Sequence, residues 1–167
     1  MISKSISETT LARFAKEVAK YPADQKQSAV MACLAIVQQE LGYVSTDSEV
    51  VVADFLGMAA IAVHEVTTFY NMYNQQKLGK YKLNVCTNLP CQLRDGNRAL
   101  RHLEKKLNIH MGETTPDGLF TLQQCECLGA CADSPVLLIN DRTMCSFMSD
   151  DKLDQMVDSL RAAGQES

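Results

Sequence analysis

The chain is 167 residues long, 46% hydrophobic and 22% charged, with a formal charge of −4 and a sequence pI of about 5.3. These values fit one or two folded domains with a sizeable core, and they exclude wholesale disorder, collagen and coiled coil. The acidic balance argues against a generic binder of nucleic acid or anionic membrane, which leaves seven cysteines as the abnormal number.

The opening stretch MISKSISETTLARFAKEVAK has neither an apolar run nor a small-residue cleavage site, and Glu8 and Glu17 speak against a transit peptide. The longest uninterrupted apolar run, residues 30–37, is too short to cross a bilayer. The expected location is cytoplasmic, at most peripheral to a membrane. In such a reducing compartment cysteines serve more often as ligands or catalysts than as disulfides.

Residues 1–77 read as a helical bundle. Leu11, Phe14 and Val18 form an apolar stripe on a helix over 11–21, ended near Pro22. Residues 24–41 make a second helix, with Val30, Cys33, Leu34, Val37 and Leu41 on one face and Gly42 as its stop. The N-cap cluster Thr46-Asp47-Ser48-Glu49 opens a third helix running through Phe55 to Gly57. A fourth, over 60–75, carries Val63, Val66, Phe69, Tyr70 and Tyr73. His64-Glu65 begins like the zincin motif H-E-x-x-H, but Thr68 stands in the fifth place, so His64 reads as a surface or packing residue. The last two helices around Gly57 could suggest a helix-turn-helix. However, residues 60–76 contain no Lys or Arg, and a DNA-reading helix needs cations for phosphate.

Residues 78–167 change style. A strand over 81–85 follows Gly79 and leads directly into Cys86. A helix over 94–107 puts Leu100, Leu103 and Leu107 inward, and the turn cluster 114–118 precedes a second strand over 119–124. Short strands over 136–139 and 144–147 form a hairpin, and a helix over 149–162 closes the chain with Leu153, Met156, Val157 and Leu160 on one side. The order β-α-β-β-α predicts a small sheet covered by helices, which a thioredoxin-like arrangement satisfies.

Six of the seven cysteines lie between positions 86 and 145. Cys86 and Cys91 bracket CTNLPC after the first strand, and Cys125, Cys127 and Cys131 lie in CECLGAC after the second. The C-x-x-C spacing of a dithiol oxidoreductase is absent, and no histidine accompanies either group as in many zinc fingers. Two cysteine-bearing loops, more than thirty residues apart but each at a strand end, could converge on one inorganic centre. An iron–sulfur cluster needs four thiolates, whereas a Cys₄ zinc site would be structural only. Spacing alone does not separate Cys125 from Cys127, since both share strand parity; Cys127 is preferred because it is nearer the Leu128-Gly129-Ala130 turn. Cys33, Cys125 and Cys145 read as small buried hydrophobes.

CTNLPC followed by CLGACADSPV resembles the C-x₄-C…C-x₃-C pattern of the 24-kilodalton [2Fe-2S] subunit of respiratory complex I, NADH:quinone oxidoreductase. VHEVTTFYNMY and YPADQKQSAVMACLAIVQQELGY resemble two helical segments of the same family, so the likeness runs from about residue 10 to 163. The resemblance implies an α+β chain: an N-terminal helical bundle over 1–77, then a thioredoxin-like [2Fe-2S] ferredoxin domain over 78–167. It further implies one [2Fe-2S] cluster with Cys86, Cys91, Cys127 and Cys131 as both cofactor-binding and metal ligands, and no catalytic site of the chain's own. NADH and FMN would be bound by a partner flavoprotein subunit, alongside other iron–sulfur subunits. This chain has no G-x-G-x-x-G to hold a nucleotide. The complex would place it on the cytoplasmic face of the inner membrane. A homologous diaphorase subunit of an NAD-linked hydrogenase or formate dehydrogenase is an alternative, as are a zinc-stabilised interaction module and a thiol oxidoreductase.

Arg94, Arg98, Arg101 and Lys105 recur at helical spacing after Cys91. This stripe is either a solvated face or a surface that meets an acidic partner and offsets cluster charge.

Overall fold

The structure, a computed structural model, describes residues 6–165. They divide into two compact units, one through Lys77 and the other from Leu78.

In the first unit, α1 (Glu8–Val18) begins a turn earlier than the apolar stripe predicts because Ser7 caps it, its Oγ accepting from Thr10 N at 3.2 Å. The single helix expected over 24–41 is two pieces. A 3₁₀ segment, Ala23–Ala29, leaves helical geometry at Gln25 (φ −121°), and α2 (Val30–Leu41) follows it. Gly42 ends α2 in the left-handed conformation, φ 84°. Ser45, just before the expected cluster, caps α3 (Thr46–Leu56), and Gly57 closes it at φ 65°.

Helix α4 (Ala60–Phe69) stops well short of Gln75. The backbone beyond it is bound to α2 instead: Gln38 Nε2 donates to Met72 O at 2.8 Å, Gln38 Oε1 accepts from Asn74 N at 2.6 Å, and Tyr73 OH donates to Met31 O at 2.9 Å. Those tertiary bonds satisfy groups that would otherwise continue the helix. The core is built from Phe14, Cys33, Leu34, Val37, Val52, Leu56 and Val63, with Phe14 meeting Phe55 edge to face. Buried Glu49 accepts hydrogen bonds from Thr67 Oγ1 and, at 3.0 Å, from His64 Nδ1, so His64 ties α4 to α3.

The second unit holds β1 (Tyr81–Cys86), α5 (Leu89–Gln92), α6 (Gly96–Leu107), β2 (Phe120–Cys125), a 3₁₀ turn at Cys131–Asp133, β3 (Leu137–Ile139), β4 (Thr143–Cys145) and α7 (Asp150–Gln165). The sheet order is β2-β1-β3-β4, with β1 parallel to β2 and the other neighbours antiparallel. Leu83, Val85, Phe120 and Leu122 on one sheet face pack with Ala99, Leu103 and Leu107 of α6 and with Leu153 and Val157 of α7. Burying those side chains supplies the main drive to fold this unit, at about 1.5–3 kcal/mol for each large aliphatic. The opposite strand parity carries Lys82, Asn84 and Cys86. Buried Lys82 pairs with Asp141 at 2.9 Å, and Asn84 donates to the same carboxylate at 2.5 Å.

Asn140 (φ 52°) and Asp141 (φ 55°) take up the hairpin turn, closed by Arg142 N on Ile139 O at 3.1 Å. The hairpin's second strand lies earlier than the expected 144–147. Phe147 (φ 53°) leaves the ladder, its N–H donating to Asp133 O at 2.7 Å.

Candidate metal centre

Both cysteine loops spring from the same end of the parallel pair β1–β2, because Cys86 and Cys125 are register partners at the last position of each strand. Thr87 N donates to Cys125 O at 3.2 Å, carrying the pairing one residue past the strands. A short turn of helix, α5, then places Cys91 back against Cys86, and both are fully buried. Asp95, at φ 68°, separates α5 from α6, so the helix expected over 94–107 begins at Gly96.

Gly96, first in α6, lies against the cysteine backbone. A Cβ there would fall 2.8 Å from Cys86 O and 2.9 Å from Cys91 O, so only glycine allows this approach.

The second loop turns at Gly129, φ 75°, whose N–H points at Cys127 Sγ at 3.4 Å. Cys127 Sγ and Cys131 Sγ are 3.5 Å apart. Cys127 is exposed and Cys131 half-buried. The four expected ligands are thus brought together as a chain of contacts, Cys86 with Cys91, Cys91 with Cys131, and Cys131 with Cys127. Among the described residues no three Cys, His, Asp or Glu side chains stand in the arrangement of a single-ion site. None of the seven cysteines is joined in a disulfide.

Burial raises the Cys86 thiol, while the backbone amides of Leu128 and Asn88 pull it back down. Cys131 is raised first by its hydrogen bond with Cys127 and then by burial. Cys125 differs, since burial and then the neighbouring Cys86 push it up to about 12. The donor set fits a thiolate-ligated cluster on chemical grounds. It is soft, supplied in two pairs, and served by amide N–H groups at Cys86 and Cys127 that ease negative charge on sulfur.

Three side-chain ties join the two loops. Asn88 Nδ2 donates to Glu126 Oε2 at 2.7 Å. Ser134 Oγ donates to Cys91 O at 3.4 Å and Arg94 O at 3.3 Å. Arg94 Nη1 donates to Ala132 O at 2.6 Å and Cys131 O at 3.2 Å.

The ties made by the Asn88, Glu126 and Ser134 side chains are missing from the sequence-based site, and Arg94 entered it only within a basic stripe that could offset cluster charge. The Asp95-Gly96 pair, a turn signal, is what would have separated Arg94 from the helical stripe. That stripe is divided in the structure. Arg98 pairs with Asp150 of α7, Arg101 and Lys105 are exposed, and Arg94 belongs to the cysteine loops.

Residues 14–161 match the family model of the thioredoxin-like [2Fe-2S] ferredoxins. The chain belongs to that family. It is 40% identical over 145 residues to the E subunit of the NADH-quinone oxidoreductase of Rickettsia conorii, covering 86% of each chain. It is 39% identical to an E subunit of the same enzyme in Rhizobium meliloti, covering 87% of this chain and 84% of the relative. Flavoprotein 2 of the mitochondrial NADH dehydrogenase [ubiquinone] of Dictyostelium discoideum is 40% identical over 136 residues, 81% of this chain and 55% of that protein. The family resemblance read from the cysteine loops is borne out by these matches.

Among solved structures, an air-oxidized NAD⁺-reducing [NiFe]-hydrogenase shares the fold with a TM-score of 0.68 at 16% identity. The match covers 81% of this chain and spans 23% of the hydrogenase chain. An N-terminal helical region followed by a thioredoxin-like sheet is therefore the architecture of this ferredoxin-family chain, as its sequence predicts. No helix among the described residues is long and apolar enough to cross a membrane.

Proposed function

We propose that this chain is the iron–sulfur electron-transfer subunit of the NADH dehydrogenase module of an NADH:quinone oxidoreductase. In this reading Cys86, Cys91, Cys127 and Cys131 hold one [2Fe-2S] cluster, which takes up and passes on one electron when bound. The observation that carries the reading is the convergence of the two loops, with Cys127 and Cys131 sulfurs 3.5 Å apart beside the buried Cys86–Cys91 pair. Pairwise contacts suit a two-iron cluster, which takes its thiolates two per iron. The chain's residues deprotonate to bind it, shield two sulfurs from water, and direct amides at Cys86 and Cys127. NADH and FMN belong to a partner flavoprotein subunit, and other iron–sulfur subunits carry electrons onward. The assembly holds the chain on the cytoplasmic face of the inner membrane, and the division at residues 77 and 78 separates a helical domain from the cluster-binding domain.

Anaerobic purification tests this directly. A brown protein with about two irons per chain and an EPR signal after reduction is expected. A colourless protein that retains one zinc after attempted cluster assembly would sink the reading. Co-purification with a flavin-containing NADH-oxidising subunit is the expected partner result, and a hydrogenase or formate dehydrogenase subunit in its place would reassign the complex.

A further inference from the structure

We infer that Arg94 is a positioning residue for the cluster: it clamps the Cys131 loop and places a positive charge at the backbone of that ligand. The inference rests on the ligand reading above. Arg94 lies three residues after Cys91, in the break between α5 and α6 that Asp95 makes with its positive φ. Its Nη1 reaches across to the other loop and donates to two successive carbonyls, Cys131 O at 3.2 Å and Ala132 O at 2.6 Å.

Both acceptors lie in the 3₁₀ turn Cys131–Asp133, which is too short to satisfy its own carbonyls. The Cys131 carbonyl receives one backbone donor, Ser134 N, at a long 3.4 Å. Arg94 is therefore the principal donor to this turn and fixes the direction of the peptides that follow Cys131. Ser134 closes the connection by donating to Arg94's own carbonyl and to Cys91 O. One ligand of each loop is thus linked through Arg94, by contacts independent of the sulfurs.

The guanidinium also bears charge. Four thiolates and a cluster are net negative and become more so on reduction, so a nearby cation favours the reduced form. Arg94 is exposed, so solvent screens this effect and keeps it modest. Clamp and charge are separable because lysine keeps the charge on a flexible stem that lacks the pre-organised planar guanidinium.

The test compares wild type, Arg94→Gln, Arg94→Lys and Arg98→Gln as full-length, cluster-loaded chains. Arg98→Gln removes the same charge one turn away, where the partner is Asp150 rather than the loop. Two readouts are taken: the rate of iron release to a chelator and the midpoint potential by EPR-monitored titration. Arg94→Gln is expected to release iron about tenfold faster, the effect of losing charge-assisted bonds. Its potential should fall by up to about 59 mV, a tenfold change in a one-electron equilibrium. Arg94→Lys should hold the wild-type potential while still releasing iron faster. Equal release from wild type and Arg94→Gln overturns the clamp, as does equal acceleration by Arg98→Gln. An unchanged potential in Arg94→Gln overturns the charge role. A wild-type chain that takes up no iron overturns the ligand reading and this inference with it, whereas a normal wild type with an indifferent Arg94→Gln overturns the inference alone.

Discussion

Cys86 and Cys125 stand opposite each other in the parallel pairing of β1 and β2, on the same side of the sheet, but their sulfurs meet different surroundings. Burial raises both thiols, but at Cys86 the backbone amides of Leu128 and Asn88 pull it back down, whereas burial and then Cys86 push Cys125 up to about 12. Neighbouring thiols are thus divided by amide placement. Cys127 stands on the ligand side of that division, with the Gly129 N–H at 3.4 Å.

Cysteine replacement follows from this contrast. Cys125→Ala should keep about the wild-type two irons per chain. Cys127→Ala should lose most of the iron and the visible absorption, as removal of a ligand would. Iron and sulfide assays with absorption spectra check both, and the opposite pattern would transfer the ligand role to Cys125.

Gly96 gives a second expectation. An alanine methyl there would press on the carbonyls of Cys86 and Cys91 at under 3 Å, both backbone atoms that cannot step aside like a flexible side chain. Gly96→Ala should cost about 1–3 kcal/mol, the usual range for overpacking. In a unit of this size that is a fall in Tm of roughly 4–8 °C per kcal/mol. Thermal melts of the metal-free chain measure the packing cost, and iron content of the loaded chain measures displacement of Cys91. A wild-type melt in Gly96→Ala would show that α6 moves away freely.

The parts of this fold legible in sequence were those where one local rule decided the outcome. Gly42 and Gly57 end helices in the left-handed region, and apolar periodicity locates α6 and α7 to within a few residues. Tertiary bonds decided the rest. Gln38 draws residues 72–74 out of the expected helix, and Phe147 leaves its strand to bond Asp133. At the candidate centre the cysteine spacing identified the loops. The ties made by Arg94, Asn88, Glu126 and Ser134 were hidden because their partners lie about 40 residues away in the chain, four of those partners being backbone carbonyls with no residue signature.

Cys33 predicts a response to alkali. Burial in the helical core, and secondarily Glu17, pushes its thiol up to about 11 from 9.0. The native state therefore favours the neutral thiol more than the unfolded chain does. The associated stability is complete below pH 9 and is lost as pH rises from 9 through 11. Replacing Cys33 with alanine removes that titration at the cost of a small cavity. Urea midpoints should fall with pH between 9 and 11 less steeply in Cys33→Ala than in wild type, and parallel slopes would rule the linkage out.

At the acid end the helix pair α6–α7 is the sensitive element. Asp154 is held below its ordinary 3.8, first by its hydrogen bond with His102 and next by the charges of Lys106 and His102. His102 Nε2 lies 2.9 Å from the carboxylate, and Lys106 bridges to Asp154 and Asp158 at 3.6 and 3.1 Å. A depressed carboxylate contributes stability above its unfolded pKa and loses it as pH falls through the lower native value. The Tm difference between wild type and Asp154→Asn should therefore shrink as pH drops below 3.8. These side chains are partly exposed, so added salt should narrow the same difference at neutral pH. A difference that persists unchanged at about pH 3 and in high salt would mean that asparagine disturbs α7 by packing, and that the His102–Asp154 pair adds nothing to holding the two helices together.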